Sequence, residues 1–142
     1  MIKNSLRLLA FFVAFSAVAQ ERQLGVALPR VSAAEVPLYP RGAVHANIEG
    51  VVPVKITTDG RRVITATADV RSIALLARAA EANVRTWRFD IHEPVSFTVT
   101  YRYRLVPDLK PLENNPRVTL RLPTEVEVDE LRFQGTVDMP VN

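Results

Sequence analysis

The sequence predicts an α+β fold, with two helices packed on one face of a three-stranded antiparallel sheet and a β-rich C-terminal extension. Three observations point there. Residues 36–105 carry apolar periodicities in the order helix, strand, strand, helix, strand. The strand patterns are one-sided, alternating apolar and polar, as expected of an antiparallel sheet with one face on a core and the other in water. After Pro107, "RVTLRLPTEVEVDELRFQGTVDMPVN" alternates again at Val118, Leu120 and Leu122, then at Val126 and Val128.

The N-terminus sets the compartment. Lys3 and Arg7 precede an apolar run over residues 8–18, and Ala17-Val18-Ala19 supplies the small residues that signal peptidase needs. This is the layout of a signal peptide over 1–19, cleaved before Gln20. An apolar run of about a dozen residues is shorter than the roughly 20 of a spanning helix. Export is therefore preferred over the alternative, an inner-membrane anchor made by an uncleaved signal, and no membrane insertion is expected after cleavage. The remaining organisation reads as a flexible leader (20–35), a folded domain (36–106), and a linker with a β-rich tail (107–142).

Composition narrows the chemistry. The absence of cysteine excludes a disulfide scaffold, a thiolate metal site and a lipid-anchored N-terminal Cys. The formal net charge is +3, but without Lys3 and Arg7 sixteen basic residues face fifteen acidic ones, which leaves +1. A nearly neutral chain has no electrostatic footprint for nucleic acid.

Taken in order, "VPLYPRGAVHANIEG" (36–50) has two prolines that fix an extended entry, then a short helix over 42–48 with Ala43, Val44 and Ile48 inward. "VVPVKITTDGRRVITATADV" reads as a hairpin. Val52, Val54 and Ile56 alternate before Asp59-Gly60, a pair that favours a two-residue type I′ turn, and Ile64, Ala66, Ala68 and Val70 alternate after it. Pro53 lacks a ladder donor and predicts that its strand is an edge strand. A helix follows, capped by Asp69 or Ser72, with Ile73, Leu76, Ala77, Ala80, Val84 and Trp87 on one stripe and Glu81–Arg85 as an i,i+4 pair. In the last strand of the domain, Val95, Phe97, Val99, Tyr101, Tyr103 and Leu105 alternate with Ser96, Thr98, Thr100, Arg102 and Arg104.

These residues in this order resemble the C-terminal domain of TonB-type energy transducers. The signs are Tyr39-Pro40, Glu49-Gly50 leading into a valine-rich strand, Asp59-Gly60 at the turn, and the Ala79-Ala80 helix running to Trp87-Arg88-Phe89 before an aromatic strand. The resemblance covers about residues 36–105. It implies a two-helix, three-strand periplasmic domain that takes a short peptide of an outer-membrane receptor as an added strand, a mode called β-augmentation. Carried onto this chain, the receptive edge is the strand over 95–105, with Ser96, Thr98, Thr100, Arg102 and Arg104 as partner-binding residues. The chain departs from a complete transducer in having a cleavable-looking signal in place of a membrane helix, and about sixteen residues in place of a proline-rich spacer. Asp90-Ile91 stands where a proline commonly follows the Trp-x-Phe segment.

Structural roles compete with binding roles at several positions. Trp87, at the end of an apolar stripe, reads as a core plug, and Phe97, Tyr101 and Tyr103 share the buried face of their strand. Arg102 and Arg104 support two readings, recognition of an acidic peptide or solvated charge that discourages edge-to-edge aggregation. Asp129-Glu130 with Glu125 and Glu127 reads as a solvated strand end. His45 and His92 sit on different elements with no cysteine between them, so no metal is expected. Nothing forms a nucleophile–base arrangement or a phosphate loop, so neither an enzyme nor a cofactor is predicted. The expected function is periplasmic peptide binding associated with TonB-dependent transport, to an outer-membrane receptor or another envelope protein. The alternative is a self-associating or autoinhibited structural protein, in which a tail strand over 117–122 covers the sheet edge in its own chain or in a homodimer.

Overall fold

The computed structural model describes residues 27–107 and 117–133. The signal peptide and the 108–116 linker read from the sequence lie outside the described residues. In chain order the elements are β1 (Val31–Ala33), α1 (Arg41–His45), β2 (Gly50–Thr58), β3 (Val63–Ala68), α2 (Ala74–Val84), β4 (Arg88–Phe89), β5 (Ser96–Val106), β6 (Arg117–Arg121) and β7 (Glu125–Leu131). The fold is α+β with two helices, but the main sheet has five strands rather than three, in the order β3-β2-β5-β7-β6. It is mixed, because β5 and β7 run parallel while its other neighbouring pairs run antiparallel. The strands Arg117–Arg121 and Glu125–Leu131 of the C-terminal extension are thus part of the sheet.

The core lies between the helices and one sheet face. Ala43 from α1 and Leu76, Ala80 and Val84 from α2 meet Val52, Val54, Ile56, Val99, Tyr101 and Tyr103, with Trp87 among them. Burial of each large apolar side chain contributes roughly 1.5–3 kcal/mol. Trp87 is buried, although it stands three residues beyond the end of α2. Val70, placed inward by alternation, is 96% exposed, because β3 ends at Ala68.

Four local expectations are corrected. Part of the leader is ordered, since β1 pairs with β4 and the Glu35 amide donates to Thr86 Oγ1 at 3.1 Å. The β2–β3 link is a four-residue loop, 59–62, closed by the Asp59 amide donating to the Arg62 carbonyl. The Asp59 carboxylate accepts the Arg62 and Arg61 amides at 2.8 and 2.9 Å, which hold its pKa below the usual carboxylate value. That side-chain turn displaces the type I′ link. Gly60 remains essential to the loop: its φ is +105°, and a Cβ there would stand 2.6 Å from the His92 carbonyl oxygen.

Neither predicted cap binds the start of α2; Ile73 occupies that position with no side-chain cap bond. Asp69 instead closes its own turn. Its carboxylate grips the Arg71 guanidinium and amide, and these lower its pKa to about 2. The Pro53 expectation fails as well, because β2 lies between β3 and β5. The Pro53 carbonyl accepts the Asp69 amide at 2.9 Å, so the missing N–H points to the same side, where β3 has just ended. Proline is tolerated there because the ladder stops.

The same register fixes the outer edge of β3. Asp69 faces β2, and alternation turns the backbone groups of Ala66 and Ala68 outward. Both are met by α2. Glu81 Oε1 accepts the Ala68 amide at 2.7 Å, and Arg85 Nη2 donates to the Ala66 carbonyl at 3.0 Å. The two side chains read from sequence as a helical pair close a strand edge that would otherwise invite another strand.

Inside, Asn83 ties the aromatics together. Its Oδ1 accepts the Tyr101 hydroxyl at 2.8 Å and Trp87 Nε1 at 3.4 Å, and its Nδ2 donates to the Glu35 carbonyl at 2.8 Å. Burial raises the Tyr101 and Tyr103 pKa values well above the ordinary phenol value. The Tyr103 hydroxyl, also buried, has no hydrogen-bond partner among the described residues.

Two predictions follow from these contacts. Glu81→Ala removes the acceptor of the Ala68 amide and should lower stability by about 1–2 kcal/mol. Glu93→Ala, at an exposed position, should stay within about 0.5 kcal/mol of wild type; equal denaturation midpoints for the two variants would contradict the edge-capping role. Tyr101→Phe should cost about 1 kcal/mol, whereas Tyr103→Phe, which removes an unsatisfied hydroxyl, should be neutral or stabilising by the same measurement.

Candidate functional site

The longest strand, β5, occupies the centre of the sheet and contacts β2 on one side and β7 on the other. Pairing with β2 uses the odd-numbered backbone groups, leaving the even-numbered ones to point outward. The Thr100 amide donates to the Thr124 carbonyl at 2.8 Å, and at the far end the Val106 carbonyl accepts the Arg132 amide at 2.9 Å. Between them β7 runs parallel in unbroken register, from Thr100↔Glu125 to Val106↔Leu131. The edge predicted to be receptive is therefore occupied along this length by the chain's own C-terminal strand. The covering strand is β7, and β6 (Arg117–Arg121), the tail strand predicted to cover the edge, lies outside it as the last strand.

Side chains match across the pairing. On the core face Val126 and Val128 lie in register with Tyr101 and Tyr103, and all four are buried. Tyr39 packs edge-on against Tyr103, with ring centroids 5.3 Å apart, and donates its hydroxyl to the Ile48 carbonyl at 2.6 Å. Burial first, then the carboxylates of Glu49, Asp129 and Glu130, push the Tyr39 pKa up to about 12.

The other face carries charge. Arg104 donates from Nε to Asp129 Oδ1 and from Nη2 to Asp129 Oδ2, both at 3.0 Å, and Nη2 lies 2.6 Å from Glu127 Oε1. This fork-on-carboxylate geometry is the strong form of an ion pair. Hydrogen bonding to Asp129 raises the Arg104 pKa further above its ordinary value. Asp129 is only 5% exposed, and Glu127 is largely covered, so these two are not part of a solvated strand end as the sequence implied, whereas Glu125 is exposed. Arg121 on β6 meets Glu125 at 3.3 Å and Glu127 at 3.9 Å, placing the acidic row of β7 between basic residues on both neighbours. At the start of β2, Glu49 Oε1 accepts the Leu105 amide at 2.6 Å and lies 3.8 Å from Arg132 Nη2.

The residues singled out by sequence fall into separate groups. Thr100, Arg102 and Arg104 lie within the register of β7, whereas Ser96 and Thr98 lie before its first pair. Ser96 shares a hydroxyl hydrogen bond with Thr57 at 2.9 Å, and Thr98 is exposed. Arg102 is in register with Glu127 and lines a shallow groove with Thr119 and Arg121. Trp87, Tyr101 and Tyr103 are fully buried and Phe97 is partly buried. His45 stacks edge-on against Phe133, and His92 shares a 2.7 Å hydrogen bond with Thr58 Oγ1, so the two imidazoles belong to different contacts. Sequence reasoning missed Asn83, Glu127 and Asp129 as working groups; the valine–acid alternation of 125–129 was the local signal for the two carboxylates, and a polar residue on an apolar helix was that for Asn83.

The geometry defines a class: an α+β module whose central strand pairs on its outer side with the chain's own C-terminal strand. The family model of the Gram-negative bacterial TonB protein C-terminal matches residues 35–105, half of the chain, and the chain belongs to that family. It is a TonB-like envelope protein associated with TonB-dependent transport, and its family is a non-catalytic binding domain. The match ends one residue short of the end of β5, so β6 and β7 lie beyond it. No curated protein matches the chain. Among the described residues no helix is long and apolar enough to cross a membrane.

If the Arg104 fork holds the cover in place, Asp129→Ala should loosen β7 by about 1.5–3 kcal/mol, the value of a hydrogen bond to a charged group. Amide exchange at Val126 and Val128 should then quicken about tenfold or more while exchange at Val54 and Ile56 is unchanged. Equal quickening at all four positions would mean that Asp129 stabilises the whole domain rather than the cover.

Proposed function

We propose that the chain works in the periplasm as a TonB-like binding module. It engages a strand-forming peptide of an outer-membrane receptor or another envelope protein by β-augmentation at the β5 edge, and its own C-terminal strands act as the cover of that edge. The observation that carries this reading is the parallel β5–β7 pairing, in which the outward backbone groups of β5 already hold an added strand. The autoinhibited alternative becomes part of the same reading, as the resting state of the module.

Exchange of one added strand for another replaces backbone hydrogen bonds with equivalent ones, so the ladder itself contributes little net free energy. The tethered cover acts at an effective concentration in the millimolar range for a short linker. An incoming peptide must therefore gain from side-chain contacts or be held close by its own protein. The β3 edge is a less suitable site, because Glu81 and Arg85 cap its outward Ala68 amide and Ala66 carbonyl.

The test uses the outward amides. Proline at Thr98 or Thr100 deletes a donor that faces the partner and spares the β2–β5 ladder, which the odd-numbered residues serve. Receptor plug peptides captured by the wild-type chain should be lost at least tenfold by Thr98→Pro with Thr100→Pro, the cost of about two backbone hydrogen bonds. Undiminished capture by the folded double variant would exclude pairing at this edge.

A further inference from the structure

We infer that the β5 edge selects an acidic strand of valine–carboxylate alternation running parallel to it, and that β7 is the chain's own copy of this ligand. The inference rests on the strand-addition reading and names the chemistry of the peptide. Its occupant is a segment of another protein, extended, with small β-branched residues on one face and carboxylates on the other.

Three features carry it. The first is the match of faces. Val126 and Val128 fill the space beside Tyr101 and Tyr103 with none of their surface left to solvent to speak of, whereas Glu125, Glu127 and Asp129 stand beside Thr100, Arg102 and Arg104. A one-residue slip would put carboxylates against the tyrosines, so the alternation fixes register as well as face.

The second feature is the Arg104 fork. Two parallel N–H···O contacts at 3.0 Å read a planar carboxylate opposite Arg104, and the parallel register places Asp129 there. Glu127 also reaches Arg104 Nη2, at 2.6 Å, whereas Glu125 meets Arg121 of β6, which a single incoming strand would not bring. Selection is therefore concentrated at the carboxylates that reach Arg104, Asp129 in the fork above all, with the position of Glu125 less exacting.

The third feature is the way in. The register of β7 begins at Thr100, so among the described strands the outward backbone of Ser96 and Thr98 lies beyond its first pair. A parallel peptide pairs first there and then replaces β7 from Glu125 onward. The incoming ligand thus carries residues ahead of the valine–acid segment, long enough to reach Thr98.

The test uses the full chain and a labelled peptide of residues 122–131, LPTEVEVDEL, which extends ahead of Glu125 to the level of Thr98 and is read by fluorescence anisotropy. In the protein, Asp129→Lys sets a like charge beside Arg104 and opens the cover. This variant should bind the peptide, and Asp129→Asn in the peptide should weaken binding on the order of tenfold. Adding Arg104→Gln to the protein should abolish the difference between the two peptides. Equal binding of both peptides by the Asp129→Lys protein would overturn acidic selection while leaving strand addition standing. Failure of both peptides to bind, in a protein that still melts cooperatively, would overturn strand addition as well. The wild-type chain gives a second readout that needs no variant to fold. Excess peptide should speed amide exchange at Val126 and Val128, and the Asp129→Asn peptide should do so less; identical acceleration by the two peptides overturns the inference.

Discussion

The backbone groups on both sides of β5 are the constraint around which the rest of the molecule is arranged. A strand at the centre of a sheet, with Val99, Tyr101 and Tyr103 buried beneath it, has to pair its amides and carbonyls in two directions. β2 supplies one direction through an antiparallel ladder, and Glu49 extends it by taking the Leu105 amide beyond the end of β2. β7 supplies the other through a parallel ladder. The helices, the aromatic cluster and the charged face all lie where that double pairing puts them.

The two sides of the original hairpin sheet are closed by different means, and the difference bears on function. On β3, side chains of α2 cap individual backbone groups, a closure that is local and specific to Ala66 and Ala68. On β5, a whole strand does the work, and a strand can be exchanged for another of similar pattern. Side-chain caps leave no ladder to inherit, whereas a paired strand leaves a complete one. The two closures thus differ in kind, individual side-chain caps along β3 and a paired strand along β5. Arg104 and Asp129 connect the two faces of this arrangement, since their pairing holds the acidic side of β7 while Val126 and Val128 hold the other.

Much of this was legible in the residues. Alternation from Val95 to Leu105 located β5 almost to its ends, and the α2 stripe identified Leu76, Ala80 and Val84 as core. What failed were statements that depend on register. Pro53 announces a missing donor, but only the pairing shows that the donor would have pointed past the end of β3. Asp59-Gly60 has the composition of a two-residue turn, yet the Asp59 carboxylate gathers two amides and lengthens the loop. Asn83 is a polar residue on an apolar helix, and its value appears only when Tyr101 and Trp87 converge on it from other elements. The acidic residues of β7 looked solvated because their partner, Arg104, lies on a strand whose parallel pairing with β7 no local pattern announces. β5 was thus readable as a strand, while its pairing with β7 was not.

The central claim is that the outward backbone of β5 is paired by the chain's own C-terminal strand. Amide hydrogen exchange, followed residue by residue in the intact protein, measures this most directly. The account predicts that Thr100, Arg102 and Arg104 are protected together, to a common opening free energy below that of Val54 and Ile56, and that Val126 and Val128 share that value. Exchange of Thr100, Arg102 and Arg104 at the rates of unpaired amides, with Val54 and Ile56 still protected, would contradict it.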